Sequence, residues 1–415
     1  MDNQQNEVGN ETKLSPDNQI PTAYTTRTTC RVCNSDKLTF LFTLGDQYIN
    51  DFPRKEDFHK LRKAPLEMIF CENCSLVQLK HTAPQELLYT GFYWYKSGVT
   101  ETMIKALKEI ANLAEQRFNL QSGDVMLDIG SNDGTLLRQF TVPGLITVGV
   151  EPATNLAEEG SKGITHLIND FWIYDKYFSV VGKKAKVITA LGMFYDMEDP
   201  NQFIADAEKA LTDDGVFIAQ LMCLKNMLDS NDVGNICHEH LEYYSYASLV
   251  ELYERNGLEI YRVEENDIQG GSYQLWARHL KDGSISYDED ISTLKDFFSE
   301  IEHNGKVLRD TLETYNDKNC YVYGASTKGN TMLQLWELGK YFKGAAEIHT
   351  DKVGRVTVGT NIPIVHEDDA KKDADVFFVP NFGFKDMFVE KEKEWIDKGG
   401  IMVFAMPDVE IIKGK

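Results

Sequence analysis

The stretch Val125-Met126-Leu127-Asp128-Ile129-Gly130-Ser131-Asn132-Asp133-Gly134 decides the fold. An apolar run with one embedded acid, broken by Gly-Ser-Asn-Asp-Gly, reads as a buried strand delivered into a tight turn. Gly130 lets the backbone pass close to a ligand with no Cβ in the way. Asp128, near the strand end, can accept a hydrogen bond from a cationic amino-acid moiety.

Outward from this turn, strands and helices alternate. A helix is expected over Ser97–Phe118, where Met103, Ile104, Leu107, Ile110, Leu113 and Ala114 recur at helical spacing. After the turn the reading is helix Thr135–Phe140, strand Ile146–Pro152, a helix starting at Asn155–Gly160, strand Thr165–Asp170 and strand Ala185–Gly192. Then come helix Asn201–Leu211, a turn at Asp213–Gly215, strand Val216–Met222, and helix Tyr246–Arg255 capped by Ser245. Two last strands, Glu259–Glu264 and Ser272–Arg278, suggest an antiparallel edge. Seven strands with helices between most of them predict an α/β, doubly wound sheet. Beyond a helix at Ile291–Tyr315, strands at Cys320–Tyr323, Ala345–Thr350, Val376–Pro380 and Ile401–Ala405 predict a smaller Rossmann-like domain, with a helix at Asn330–Leu338.

Acids fall at successive strand ends: Asp128, then Glu151, then Asp170 beside Phe171. An acid ending the second strand reaches both hydroxyls of a ribose. Asp170 and Phe171 offer a carboxylate and a ring to an adenine. The turn is D-x-G-x-x-x-G, not the G-x-G-x-x-G that cradles a pyrophosphate, and Asp133 would repel one. S-adenosylmethionine, which carries an ammonium and a sulfonium, is the expected ligand. A NAD site and a purely structural turn are the competing readings.

Four of seven cysteines form two C-x-x-C pairs, Cys30/Cys33 and Cys71/Cys74. Each pair sets two thiolates on one knuckle, and two knuckles close a tetrahedral Zn²⁺ site. Strand-like Leu38–Leu44 and Leu66–Cys71 lie between them. Four thiolates leave no open position, so the zinc is expected to be structural rather than catalytic. The alternative is four free buried cysteines.

Between the fifth strand and a helix N-terminus lies Asn235-Ile-Cys-His238-Glu239-His240-Leu-Glu-Tyr243-Tyr-Ser245. Ligands of open α/β sheets bind at such strand ends. A histidine supplies a base that titrates near neutrality. His-Glu-His is not the H-E-x-x-H of zinc proteases, and no third ligand is evident. Hydrogen-bonded structure at a domain junction is the bland alternative.

The chain has 415 residues and a formal net charge of −22, with basic residues spread thinly. Binding to nucleic acid or a membrane surface is not expected. Met1–Pro21 is polar and acidic with no apolar core, so it does not read as a signal peptide, and a cytoplasmic location is expected. The expected domains are a disordered tail over 1–24, a zinc-binding module over 25–85, the doubly wound domain over 86–290, and the Rossmann-like domain over 291–415.

From about Cys30 onward the chain resembles the zinc-containing, S-adenosylmethionine-dependent C-methyltransferases that act on nucleotide-linked keto sugars in deoxysugar biosynthesis. The resemblance is carried by the C-x-x-C pairs, Tyr95-Lys-Ser97, Asp128–Gly134, Val150-Glu-Pro152, His238-Glu-His240 with Tyr243-Tyr-Ser245, Gly270-Gly-Ser272 and Tyr323-Gly-Ala-Ser-Thr-Lys-Gly-Asn330. It implies a class I methyltransferase domain. In such a reaction a 4-keto group acidifies the C3 proton of the sugar, a base removes it, and the resulting enolate carbon takes the methyl group. His240 is the implied base, supported by Glu239 and accompanied by His238, with Tyr95 contacting the sugar or shuttling a proton. Gly130, Ser131, Asn132, Asp133, Gly134, Pro152 and Leu191 join Asp128, Glu151, Asp170 and Phe171 around the methyl donor. Tyr93, Tyr243, Asn266 and Ser272 are candidates for the sugar, and Lys328 and Asn330 for the nucleotide.

Two departures touch the acceptor side. Some members carry a tyrosine where this chain has Cys237, and some a histidine at the end of the fourth strand, where this chain has Tyr195-Asp196. An O- or N-methyltransferase of another small metabolite, and a non-catalytic scaffold, remain as alternatives. The oligomeric state is open, a monomer included.

Overall fold

A computed structural model describes residues 24–89, 93–266, 268 and 271–414. Nearly all of the tail expected over 1–24 lies outside these residues, as does Gly270.

The chain enters through two short strands and a hairpin sheet: β1 (Thr25–Thr26), β2 (Leu38–Tyr48), β3 (Lys63–Cys71), β4 (Val77–Leu79) and β5 (His81–Thr82). The helix Glu101–Phe118 follows a single 3-10 turn at Ser97–Val99; Thr100 caps it by accepting from the Met103 amide, and Asn119 ends it at φ 47°. Its buried face is Leu107, Ile110, Ala111 and Ala114.

The seven strands of the central sheet are β6 (Val125–Ile129), β7 (Ile146–Val150), β8 (His166–Ile168), β9 (Ala185–Leu191), β10 (Leu211–Met222) and, after β11 (Glu242–Tyr243), β12 (Leu258–Asn266) and β13 (Ser272–His279). Their order is β12-β13-β10-β9-β6-β7-β8. β6 through β10 pair in parallel, while β13 runs antiparallel to both neighbours. The antiparallel strand is therefore inserted inside the sheet, and β12 forms the edge. The order reverses between β6 and β9, so the loops after these two strands open the crevice in which such sheets hold ligands.

Three local expectations need correction. The helix expected over Thr135–Phe140 is a single 3-10 turn, Leu137–Gln139. Pro143 follows closely and disfavours the helical region for the residue before it. The expected turn at Asp213–Gly215 lies within β10, whose pairing with β9 shifts register between Leu211 and Val216; the bulge absorbs the Asp-Asp-Gly without breaking the strand. The helix expected over Ile291–Tyr315 begins at Phe297, after a 3-10 turn at Ser292–Lys295.

The C-terminal sheet contains β14 (Cys320–Tyr323), β15 (Gly344–Glu347), β16 (Ile364–His366), β17 (Val376–Val379), β18 (Ile401–Phe404) and β19 (Glu410–Lys413), ordered β16-β15-β14-β17-β18-β19, with β19 antiparallel. β16 and β19 have no clear sequence signal: one is three residues long, the other largely exposed on the sheet edge.

Packing joins these units. Cys30, Cys71, Cys74 and Leu76 belong to the same buried cluster as the central sheet. Phe42, Leu66 and Val77 of the hairpin sheet share a core with Leu224, Ile236, Phe297 and Met332. β11, which lies by chain position inside the 86–290 stretch, pairs with β4 and completes a four-stranded sheet in the order β11-β4-β3-β2. Among the described residues no helix is long and apolar enough to cross a membrane.

Candidate active site

The four cysteines sit on two tight turns. Asn34 donates to the Cys30 carbonyl at 3.0 Å and Ser75 to that of Cys71 at 2.9 Å, with Asn34 and Ser75 both at positive φ. Cys30 Sγ lies 3.6 Å from Cys74 Sγ, Cys33 Sγ lies 3.5 Å from Cys71 Sγ, and all four sulfurs fall within 4.8 Å of one another. Tetrahedral Zn–S bonds of about 2.3 Å put sulfurs roughly 3.8 Å apart, so the set fits zinc. The turn is keyed into the rest of the protein by Arg31, which is 1% exposed. Its guanidinium donates to the Leu79 carbonyl and to Gln78 and Thr82, and pairs with Glu198 and Glu242.

At the cofactor turn, Gly130 stands at φ 73°, and a Cβ there would lie 2.7 Å from Met193 Cγ. Asp128 is 4% exposed and accepts from Thr189 Oγ1 at 2.6 Å across β9. Burial lifts its pKa to about 7, with the Thr189 bond opposing and Glu151 adding. A carboxyl so placed is completed by a cationic ligand. Ser131 Oγ, three residues further on and buried, has no partner. The residues thus fit an ammonium-bearing donor.

The other turn residues have structural tasks that the sequence does not announce. Glu151 accepts from the amides of Asn132 and Ala153, both at 2.8 Å, which locks the turn to the end of β7. Asn132 accepts from the Ser97 amide and donates to the Tyr95 carbonyl; Asp133 accepts from the Gly98 amide at 2.8 Å. Asn155 exchanges two bonds with the Tyr93 backbone. The strap Tyr93–Gly98 is thereby tied across the cofactor turn. A Cβ on Gly98 would sit 2.7 Å from Thr135 Oγ1 and 2.8 Å from Asp133 Oδ2. Tyr95 on this strap is 44% exposed. Asp170 is half-exposed, pairs with Lys176 and accepts from the Phe171 amide; the Lys176 contact lowers its pKa. Gly134, Pro152 and Leu191 lie at the ends of the turn, of β7 and of β9.

The loop carrying the two histidines is held from three sides. Leu241 and Glu242 donate their amides to the Tyr195 carbonyl after β9, Leu79 donates to the Leu241 carbonyl, and Tyr89 donates to the Glu239 carbonyl. His238 is 3% exposed, and its Nε2–H donates to the Ala64 carbonyl at 2.9 Å. Burial lowers its pKa to about 4. His240 differs. Its Nδ1–H donates to the Asn235 carbonyl at 2.8 Å, and its ring packs edge-on against Tyr195 at 4.6 Å. It keeps some exposure, yet the surrounding protein also lowers its pKa to about 4. It lines a small pocket with Tyr195, Met222, Cys223, Asn235, Glu242 and Tyr243. Tyr243 donates to the same Asn235 carbonyl.

Glu239 does not orient His240 in this structure. Its Oε1 accepts from Asn50 Nδ2 at 3.1 Å, and Oε2 has no partner. Asn50, on the connection after β2, also donates to Thr327 Oγ1 and accepts from Asn330 Nδ2. Lys328 pairs with Asp232 at 2.6 Å. Lys328 and Asn330 therefore lie in the joint between the C-terminal sheet, the hairpin module and the histidine loop. Asn266 donates to Gln220, and Ser272 to the Ile268 carbonyl, in the β12–β13 hairpin. Asn50, Tyr89, Asn155 and Arg31 carry no motif, and only their contacts reveal them.

Three family models match the chain in tandem: a zinc binding domain over 30–89, a methyltransferase domain over 96–263, and a C-methyltransferase C-terminal domain over 267–407. The chain is 25% identical over 414 residues to C-methyltransferase NovU of Streptomyces niveus, covering 93% of this chain and 97% of that one. Solved structures are more distant. The mitomycin 7-O-methyltransferase MmcR is 16% identical with a TM-score of 0.35, over 43% of this chain and about half, 54%, of that one. Magnesium protoporphyrin IX methyltransferase from Synechocystis PCC 6803 is 14% identical with a TM-score of 0.32, over 43% and 79%. With its tandem modules, its four-cysteine cluster and its donor turn, the chain is an S-adenosylmethionine-dependent methyltransferase with a zinc-binding module, similar along its length to C-methyltransferases.

Proposed function

We propose that the acceptor is a nucleotide-linked 4-keto-deoxysugar, methylated at C3 after His240 removes the C3 proton. The observation that carries this reading is the setting of His240. Its Nδ1–H is committed to a backbone carbonyl, so Nε2 bears the lone pair. A pKa held down to about 4 keeps that nitrogen unprotonated at neutral pH. The imidazole is the weaker base for it, and the adjacent ketone compensates by acidifying the proton.

When bound, S-adenosylmethionine supplies an electrophilic methyl carbon whose bond to sulfur breaks as the new carbon–carbon bond forms. Asp128, Ser131 and Glu151 would hold it. Glu239 and His238 act as positioning residues, bonded to Asn50 and Ala64 respectively. Tyr93 and Tyr95 approach the acceptor from the strap over the donor turn, and Tyr243 from beside His240. A phosphate contact by Lys328 requires that it leave Asp232. The zinc, closed by Cys30, Cys33, Cys71 and Cys74, holds the knuckles together and takes no part in the chemistry.

Deuterium exchange at C3 of a thymidine diphosphate-linked 4-keto-2,6-dideoxyhexose, without methyl donor, tests the reading. The wild type should exchange and His240→Ala should not. No exchange by the wild type, or undiminished exchange by His240→Ala, overturns it.

A further inference from the structure

Asp196 lies in the turn after β9, on the far side of the sheet's switch point from the Asp128 turn. It is 6% exposed, and its Oδ1 is buried with no hydrogen-bond partner. Asp232, Glu239 and Glu242 also leave one oxygen unmet, whereas buried acids away from this region are fully met. Asp206, 5% exposed, accepts from the Tyr174 amide with one oxygen and from Gln202 with the other. Glu259, fully buried, is met by Arg278 and three backbone amides. A buried polar atom left unmet has given up its water without replacement. The turn that carries this oxygen follows β9 at the switch point, where sheets of this kind hold ligands.

The neighbour in sequence supplies the direction. Tyr195 packs its ring on His240, and its carbonyl takes the amides of Leu241 and Glu242, so the Asp196 turn and the histidine loop are one unit. The groups acting on Asp196 are Glu239, Glu242 and the Tyr89 hydroxyl, and no basic side chain is among them. Asp196 bears in turn on Tyr93, Tyr195, Cys237 and Tyr243. Burial first, then the two glutamates, push its carboxyl well above the usual range. The site therefore favours the protonated carboxyl, the form that can donate.

We propose that Asp196 is a second catalytic residue, its free oxygen hydrogen-bonded to the acceptor's carbonyl oxygen while His240 takes the neighbouring proton. This rests on the keto-acceptor reading above. The C3–H bond breaks, its proton goes to His240 Nε2, and its electron pair forms the C3–C4 double bond. The charge that moves onto the C4 oxygen is met by the Asp196 O–H. When C3 attacks the methyl carbon the ketone returns, and His240 releases its proton to water.

The test uses the zinc-loaded full chain, the same keto-sugar nucleotide, and the variants Asp196→Ala and Asp196→Asn. S-adenosylmethionine affinity should stay within about twofold in both, which shows that they fold. Asp196→Ala should lose about 10²–10³-fold in kcat and in C3 exchange, as for other lost oxyanion donors. Asp196→Asn, whose amide donates at every pH, should stay within about tenfold of the wild type. The wild-type kcat should fall at alkaline pH, where Asp196 loses its proton, and Asp196→Asn should lose that decline. An Asp196→Ala protein within threefold of a wild type that does exchange C3 overturns the Asp196 role alone. An Asp196→Asn protein as slow as Asp196→Ala with the alkaline decline intact does the same. A wild type that exchanges nothing overturns the keto-acceptor reading, and the Asp196 role with it.

Discussion

The donor turn and the proposed acceptor loop are built by opposite strategies. The donor turn is contiguous. Asp128 to Gly134 leaves one strand, and its anchors are Glu151, just past the end of β7, and Thr189 on β9, the two strands flanking β6. The acceptor side is composite. His240 depends on Asn235 in its own loop, on Tyr195 after β9, and on a strand pairing with a different sheet, while Asn50 reaches Glu239 from the hairpin module. Binding a common cofactor needs a local device that travels with the sheet. The loop proposed to hold the acceptor draws on contacts between modules.

Loss of zinc is the harshest way to probe that difference. Structural zinc contributes on the order of 10 kcal/mol in small domains, and β4, which begins just after Cys74, is the strand that holds β11. Metal analysis should find about one zinc per chain, and Cys71→Ser should lose it. Amide protection over 239–245 should collapse first, the 125–134 segment last. Protection lost equally in both would erase the distinction.

His240→Ala should cost about 10³-fold in methyl transfer, within the usual range for a general base, and leave S-adenosylmethionine affinity unchanged by calorimetry. A parallel loss of affinity would mean that the two sides are not separable.

His238 gives a pH test of the same architecture. Its folded pKa, about 4, lies below the ordinary 6.5. The unfolded chain binds a proton in that window and the folded one does not. Its stabilising contribution is therefore present above pH 6.5 and is lost as pH falls toward 4, by up to about 3 kcal/mol. Chemical denaturation across pH 4–7 should show this slope, and His238→Gln should reduce it, with His240, shifted in the same direction, supplying the remainder.

Asp128→Ala removes a charge-assisted contact of about 2 kcal/mol. Donor affinity should weaken roughly thirtyfold, with C3 exchange preserved. The mildest change is Asn132→Gly, which keeps the positive φ of 52° but deletes the ties to Tyr95 and Ser97. It should cost about 1 kcal/mol and raise the acceptor KM a few-fold, with donor affinity nearly intact.

The same contrast explains what could be read in advance. The strand-turn of Val125–Gly134 is legible because hydrophobic burial and glycine punctuation are local properties. The cysteine pairs are legible because metal geometry dictates their spacing. The division of labour between His238 and His240 is not, since both lie in one motif and differ only in which distant carbonyl each meets. Nor could the sequence announce that Glu239 would turn to Asn50, 189 positions away. Asn132 and Asp133 were expected around the cofactor, yet their side chains hold the strap through bonds to Ser97 and Gly98.

β11 has a consequence for anyone recombining these proteins. Two residues, Glu242 and Tyr243, belong by covalent order to one module and by hydrogen bonding to another. Chimeras cut at the linkers would separate a key from its lock. A graft meant to change the acceptor must transplant residues 30–89 together with 235–245, and Arg31 with Glu242, as a single heritable block.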